Sequence, residues 1–401
     1  MRCGVLLCAF SGTIAACNSD HHVTTPPPPT IRLAVSVVAG ETSTCALSAA
    51  GGVYCWGSNN LGALGQGSTD TAAHSTPVPV SGNQSFAQLA GGGSFRCALT
   101  TQGQTWCWGE PDAFPAQVFS DSAPTLLSGA PAFASISVGP NHACGVTHSG
   151  QAYCWGQNEA GELGVGDTLP RTTPTLVSGG ISWASLSVGF DHTCGLNMNG
   201  RMYCWGDGNY GAIGTFAAAV QTTPFPFDSA PAFASIHGGA EYTCGVTSGG
   251  AGLCWGLNFV GELGDGTTTY RSTPVPVAQS LVFSTIAASR EDTYFAATCG
   301  LSTQGAAYCW GYASNEQLGD PSAQPASCDF STITNVTCVA APVPVSGGLT
   351  FRAIAVGDTH ACGVTQDGLV YCWGQNDRGQ LGTGTTQNSA VPVRVTGFGP
   401  S

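Results

Sequence analysis

Seven times along the chain two cysteines stand ten positions apart: Cys45 with Cys55, Cys97 with Cys107, Cys144 with Cys154, Cys194 with Cys204, Cys244 with Cys254, Cys299 with Cys309, and Cys362 with Cys372. Cys328 and Cys338 repeat the spacing once more, between the last two of these pairs. Such thiols can bind metal or pair with each other. His142, His192 and His360 stand two positions before a cysteine and would offer zinc a nitrogen beside a sulfur. The other copies carry Ser43, Phe95, Tyr242 and Ala297 there, so no ligand set repeats, and these histidines read as packing or loop residues. A disulfide needs only constant geometry. If the intervening residues fold as a hairpin around a Gly-bearing turn, the two cysteines face each other. A narrow antiparallel pair has its Cα atoms about 4.5 Å apart, which a disulfide can span. One staple per copy is expected, each worth roughly 2 to 3 kcal/mol in the chain-entropy account. No metal and no cofactor is implied.

Other catalytic signatures are missing from the sequence. It has no Gly-x-Ser-x-Gly elbow, no His-Glu-x-x-His and no phosphate loop with its lysine, since the chain has no lysine at all. No two carboxylates stand at a spacing that fixes a shared site. Acidic loops such as Gly261-Glu262-Leu263-Gly264-Asp265-Gly266 do not match the alternating oxygen ligands of a calcium loop. The net charge is −13, and the ten arginines are scattered singly, so no basic stripe exists to neutralise a row of phosphates. Nucleic acid is excluded as a partner, and an acidic surface would not adhere to anionic lipid by charge.

The elements that hold the cysteines begin after an export signal. Met1-Arg2 is a minimal positive start, Cys3 to Ile14 is apolar and short, and Ile14-Ala15-Ala16-Cys17 places small residues before a cysteine. Residues 1–16 read as a signal peptide. The Ile-Ala-Ala-Cys sequence resembles the bacterial lipoprotein box, which implies that Cys17 carries lipid as the mature N-terminus. Of the 19 cysteines, Cys3 and Cys8 would leave with the signal and Cys17 would be lipidated. An even sixteen remain for pairing, and that density suits an oxidising compartment. Residues 17–30, with the proline run Pro26 to Pro29, read as an extended tether between lipid and folded domain. The expected location is the bacterial cell envelope, periplasmic or surface, with the membrane touched only through the lipid.

From residue 31 to 398 one pattern recurs roughly every 50 residues. Its cleanest copy reads Phe133-Ala-Ser-Ile-Ser-Val-Gly, His142-Ala-Cys-Gly-Val, then Ala152-Tyr-Cys-Trp-Gly. A Pro-x-Pro-Val run such as Pro274-Val-Pro-Val277 completes the unit. Alternating apolar runs bounded by Gly and Pro are strand signals, and no long window sustains a helical period. With charged residues at 8% and 57 glycines, the composition also reads as all-β. Four strands make a blade, and seven blades close into a β-propeller of about four antiparallel strands each. The tryptophan after each second cysteine, at positions 56, 108, 155, 205, 255, 310 and 373, is expected to pack between blades.

The loop Trp155-Gly-Gln-Asn158-Glu-Ala-Gly161-Glu-Leu-Gly164 resembles the regulator of chromosome condensation repeat. Copies at Trp56, Trp255 and Trp373 keep the whole motif, that at Trp205 has Gly208 for the asparagine, and that at Trp310 has Ala313 and Glu316. The copy at Trp108 lacks it, with Glu110-Pro-Asp-Ala-Phe114 in its place. The resemblance implies a binding module that offers its loops to a protein or glycan, as in bacterial members including the propeller-type β-lactamase inhibitor. Two alternatives stand beside it, the first also implied by the resemblance. One is guanine-nucleotide exchange, from which export would separate this chain. The other is a polysaccharide-acting enzyme with carboxylates about 5 to 10 Å apart at the propeller mouth. A monomer without catalytic residues is the expectation. The segment 320–341, with its own cysteine pair and the sequon Asn335-Val-Thr337, is either a recognition loop or a tolerated insertion whose deletion would spare stability.

Overall fold

The computed structural model describes residues 33–110, 121–214, 220–227, 231–278, 280–290, 296–328, 334 and 336–399. The expected signal peptide, Cys17, the tether and Asn335 lie outside the described residues. The rest is a seven-bladed β-propeller. Each blade is an antiparallel sheet whose strands pair in chain order, and the sixth adds a short strand, Ala326–Ser327, outside its long fourth strand, Thr337–Pro344. The first strands of the blades, from Ala34–Ala39 to Phe351–Val356, touch one another in succession around the axis. The last touches the first, which closes the ring. Among the described residues no blade borrows a strand from the other end of the chain. Closure therefore rests on contacts between whole blades.

Within a blade the second and third strands place the two cysteines directly opposite, as in the pairing of Cys144 with Cys154. In all seven blades the sulfurs are bonded and the Cα atoms lie 4.0 to 4.1 Å apart. The tryptophan that follows is wholly buried in every blade. In six blades its ring packs on the aromatic residue of a first strand, as Trp155 on Phe133 or Trp373 on Phe351, and in the first blade Trp56 packs on Phe398.

The loops between third and fourth strands tie each blade to the next. In the third blade Asn158 organises the loop: its Oδ1 accepts from Leu163 N–H and its Nδ2 donates to the carbonyls of Asp167 and Leu169. The loop then presents the Glu162 carbonyl to the fourth blade, where Trp205 Nε1 donates to it at 2.8 Å and Thr193 Oγ1 at 2.9 Å. Gly164 has φ of +68°, and a Cβ there would lie 2.6 Å from Trp205 Nε1, so glycine is required where the loop meets the indole. The same carbonyl position serves as Ala63, Ala212, Glu262, Gln317 and Gln380, each accepting from the next blade's tryptophan. Trp155 Nε1 has no hydrogen-bond partner among the described residues. It follows the one blade whose sequence lacks the loop motif.

A second latch joins the start of each second strand to the next blade. His142, His192 and His360 bring Nε2 to 2.8, 2.9 and 2.7 Å from the hydroxyls of Thr193, Thr243 and Thr44. Each threonine spends its only proton on a loop carbonyl, so each histidine is the donor and is held as the neutral Nε2–H tautomer. The other interfaces keep the match by changing one partner or both. Tyr242 meets Thr298, the short Ser43 receives the long Arg96, and the apolar Phe95 and Ala297 face Ala143 and Ala361 in the corresponding places. These histidines are inter-blade latches, and the neighbouring cysteines are consumed in disulfides.

The segment 320–341 is part of the scaffold. Its end belongs to the fourth strand of the sixth blade, so excision would shorten that strand instead of sparing it. Cys328 and Cys338, 5.9 Å apart at Cα, are both buried in a small cluster with Tyr312, Val336 and Val260, the last from the loop of the fifth blade.

Thr193→Val keeps volume but removes both the donor to the Glu162 carbonyl and the acceptor for His142. It should cost about 1 to 3 kcal/mol in denaturant melts. Thr193→Ser should recover most of the loss; equal losses for both would show that the hydroxyl is not a latch.

Candidate functional site

Antiparallel order sends the loops between first and second strands, and those between third and fourth, to one end of the propeller. That end is acidic: every described carboxylate except Asp367 lies there. The central channel opens at the same end, but Arg290 reaches across it. Its Nη1 donates to the carbonyls of Val138 and Gly91, and its Nε to that of Gly238, on three other blades. His237 lines the channel wall with it. Burial, with the Arg290 charge adding to it, brings the His237 pKa down to about 4.

The carboxylates converge over the third, fourth and fifth blades. Asp207 N–H donates to the Asp191 carbonyl, joining the two loops of the fourth blade. Phe190 N–H donates to the Gly239 carbonyl, which brings Asp191 beside the loop that carries Glu241. Glu162 arrives from the third blade through its bonds to Trp205 and Thr193. Glu162 is fully buried and Glu241 is 7% exposed. One oxygen of each, Glu162 Oε1 and Glu241 Oε2, has no hydrogen-bond partner among the described residues. Burial raises the Glu241 pKa to about 8, with repulsion from Asp191 and Asp207 added. Burial likewise raises Glu162 to about 8, with Asp191 and Glu159 adding to it. Asp191 is raised to about 6, by burial and then by Asp207 and Glu159. Exposed aromatics flank the group: Tyr210, in the loop that begins at Asp207, meets Phe259 at 5.6 Å and Tyr270 at 6.4 Å between ring centres.

No motif spacing marks this group, because its members come from three repeats. Aligned repeat by repeat, Asn141, Asp191 and Glu241 occupy one position, just before the latch residue, in successive blades. Acids at one repeat position in adjacent copies would have been the signal. Among the described residues no cluster of His, Cys, Asp and Glu has an arrangement that could hold a metal ion. Nor, among them, is any helix long and apolar enough to cross a membrane.

Models of the regulator of chromosome condensation (RCC1) repeat match residues 34–63, 133–162, 183–212 and 351–380, and, in a second form, 50–99, 149–196 and 367–400. The chain belongs to this repeat family. Among curated relatives, the ultraviolet-B receptor UVR8 of Arabidopsis thaliana is 36% identical over 93 residues, 23% of this chain and 18% of the receptor. The human E3 ubiquitin-protein ligase HERC2 is 38% identical over 97 residues, 24% of this chain and 2% of the ligase. The matches thus span less than a fifth of either relative. Among solved structures, Prp20p of Saccharomyces cerevisiae superposes with a TM-score of 0.73 at 21% identity, covering 92% of this chain and 88% of that one. Human WBSCR16 gives 0.70 at 19%, covering 86% and 94%. At these identities the likeness is one of fold. RCC1-type propellers are protein-binding scaffolds, and the eight cysteine pairs suit an oxidising environment.

The buried ionisable groups set opposite pH trends. His142, His192 and His360 are brought by burial to about 3, 4 and 3, so below pH 6.5 the unfolded chain binds more protons and stability falls as pH falls. Glu162, Glu241 and Glu262, the last raised by burial to about 7, bind protons more tightly when folded, so stability falls as pH rises from 4.5 towards 8. The two trends offset each other below 6.5, and only the second operates above it. Thermal melts should therefore decline from pH 6.5 to 8, and Glu241→Gln should flatten the decline. A rise across that interval would contradict the buried carboxylates.

Proposed function

We propose that this protein is an exported, lipid-anchored, non-catalytic binding module of the cell envelope that grips a protein through the acidic loop end of the propeller. The observation that carries this reading is the concentration of carboxylates on that one face, opposite a far face with Asp367 as its described acid. A single-sign face steers and orients a partner of opposite charge. Family precedent supports a protein as the occupant: the yeast relative Prp20p has binding properties to Gsp1p and histones, and it has been seen bound to Kap60. The sixteen paired cysteines and the Ile-Ala-Ala-Cys17 box support export and lipid attachment.

A second reading, a glycan-acting enzyme, draws on the Asp191 and Glu241 carboxyls, whose raised values of about 6 and 8 resemble an acid and base pair. Reducing-sugar release from envelope polysaccharides, lost in Glu241→Gln, would favour it over binding.

The oxidised full-length protein would serve as bait in an envelope fraction, with hydrogen exchange of the recovered complex as the readout. Protection is expected in 157–170, 207–214 and 257–270. Protection confined to the opposite turns, 147–151 and 197–201, would overturn the assignment of the face. In cells, Cys17→Ser should abolish palmitate labelling and release the protein from membranes; unchanged membrane association would refute the anchor.

A further inference from the structure

Glu241 sets an electrostatic problem that the fold leaves unsolved. Its side chain is buried, one of its oxygens has no hydrogen-bond partner among the described residues, and the charged groups that act on it, Asp191 and Asp207, are both anionic. Glu162 repeats the situation two blades earlier, fully buried, with Oε1 likewise without a partner among the described residues and Asp191 and Glu159 as its charged neighbours. Buried carboxylates elsewhere in proteins are paired with a cation or hydrogen-bonded at both oxygens, because an isolated buried charge is costly. Arg290, which lines the channel, spends donors on main-chain carbonyls of three blades. By contrast Glu262, at the loop position equivalent to Glu162, satisfies both oxygens from its own loop, with Phe259 N–H on Oε1 and Val260 N–H on Oε2. The under-satisfied carboxylates are therefore a local feature of the third to fifth blades and not a general property of the repeat.

We infer that the loops carrying Asp191, Asp207 and Glu241 form a socket for a cationic side chain, arginine or lysine, projecting from the protein partner. This rests on the protein-binding reading above and names the chemistry at its centre. Asp191 and Asp207 are half-buried whereas Glu241 is buried, so the two aspartates are the more accessible carboxylates to an incoming guanidinium or ammonium. Asp207 is pre-oriented, since both of its oxygens accept from Asn209, one from the main-chain N–H and one from the side-chain amide. Tyr210, on the loop that begins at Asp207, meets Phe259 and Tyr270 of the fifth blade's long loop edge-to-face, and the three offer apolar surface to the aliphatic stem and π-faces to the charge. A metal ion is a poor occupant, because no cluster of described acids is tight enough to coordinate one.

The probe is a fluorescein-labelled nona-arginine peptide, compared with its nona-citrulline counterpart, which keeps the shape and loses the charge. Anisotropy titrations would use the full-length protein, the pair Asp191→Asn with Glu241→Gln, and a charge-matched control, Glu41→Gln with Asp121→Asn, two exposed acids at the same end. The socket predicts that the wild type binds nona-arginine and not nona-citrulline. It also predicts that the first pair loses about ten-fold or more in affinity and the control less than about two-fold. Equal losses for both pairs, or equal binding of both peptides, would overturn the socket in favour of a diffuse acidic field. Absence of nona-arginine binding would also overturn it, while exchange protection at the loop end by the captured partner would leave the binding-module reading standing. Because the substitutions replace carboxyls by amides of the same shape and relieve their mutual repulsion, the first pair should melt no lower than the wild type, which separates loss of binding from loss of fold.

Discussion

One main-chain carbonyl in each long loop carries the propeller. In the loop of the third blade it is that of Glu162, which takes a proton from the indole of Trp205 and another from the hydroxyl of Thr193, both on the following blade. A carbonyl has two lone pairs, and here both point across an interface from which water is excluded, where a hydrogen bond is strong and an unmade one costly. Four of the repeats complete this double acceptance. Because the ring closes without strand exchange, the contact between last and first blades depends on the same device, with the Gln380 carbonyl accepting from Trp56 and Thr44. The asparagine and glycines of the loop are consequences: Asn158 holds the loop in shape, and Gly164 allows it to reach the indole.

The disulfides do a different job. Each joins adjacent strands of a single blade at a directly opposed pair, so it stiffens the unit without tying one unit to another. Stapled blades are added around the axis and are joined by hydrogen bonds and aromatic packing. The blade cysteines meet the next blade by packing, as Cys194 with Thr243 and Cys362 with Thr44, while the eighth pair packs against Val260 of the fifth blade and braces the fifth and sixth blades.

Seven blades, their strand content, the cysteine register and the packing role of the tryptophans could all be read from the sequence, because each is repeated and each copy checks the others. Departures from the repeat were legible too. The loop motif missing after Trp108 has its counterpart in the indole of Trp155, which has no hydrogen-bond partner among the described residues. What could not be read was anything made by unlike residues of different copies. The pairing of Ser43 with Arg96 is invisible to a motif, since neither resembles the His and Thr they replace. The carboxylate group is hidden for the same reason. Asp191 and Glu241 are a full repeat apart in the chain and become neighbours only when successive blades are set side by side. The end of the 320–341 segment was misjudged because an insertion and the strand it leads into share one continuous run of small and β-branched residues.

These two levels explain why the acidic group can exist at all. Loop attachment runs through main-chain carbonyls and through Trp, Thr and His side chains, and the residues just before the latch join it by their carbonyls, which any residue supplies. Asn141, Asp191 and Glu241 accordingly differ at one such position. Like charges placed there destabilise the fold, but the cost is spread over a ring held by repeated latches and stapled sheets, and no single latch passes through a carboxylate side chain. The scaffold is thereby separated from the surface it displays. A family built this way can exchange partners by changing a few loop residues without disturbing the contacts that close the ring, and in this chain the changed residues are acids.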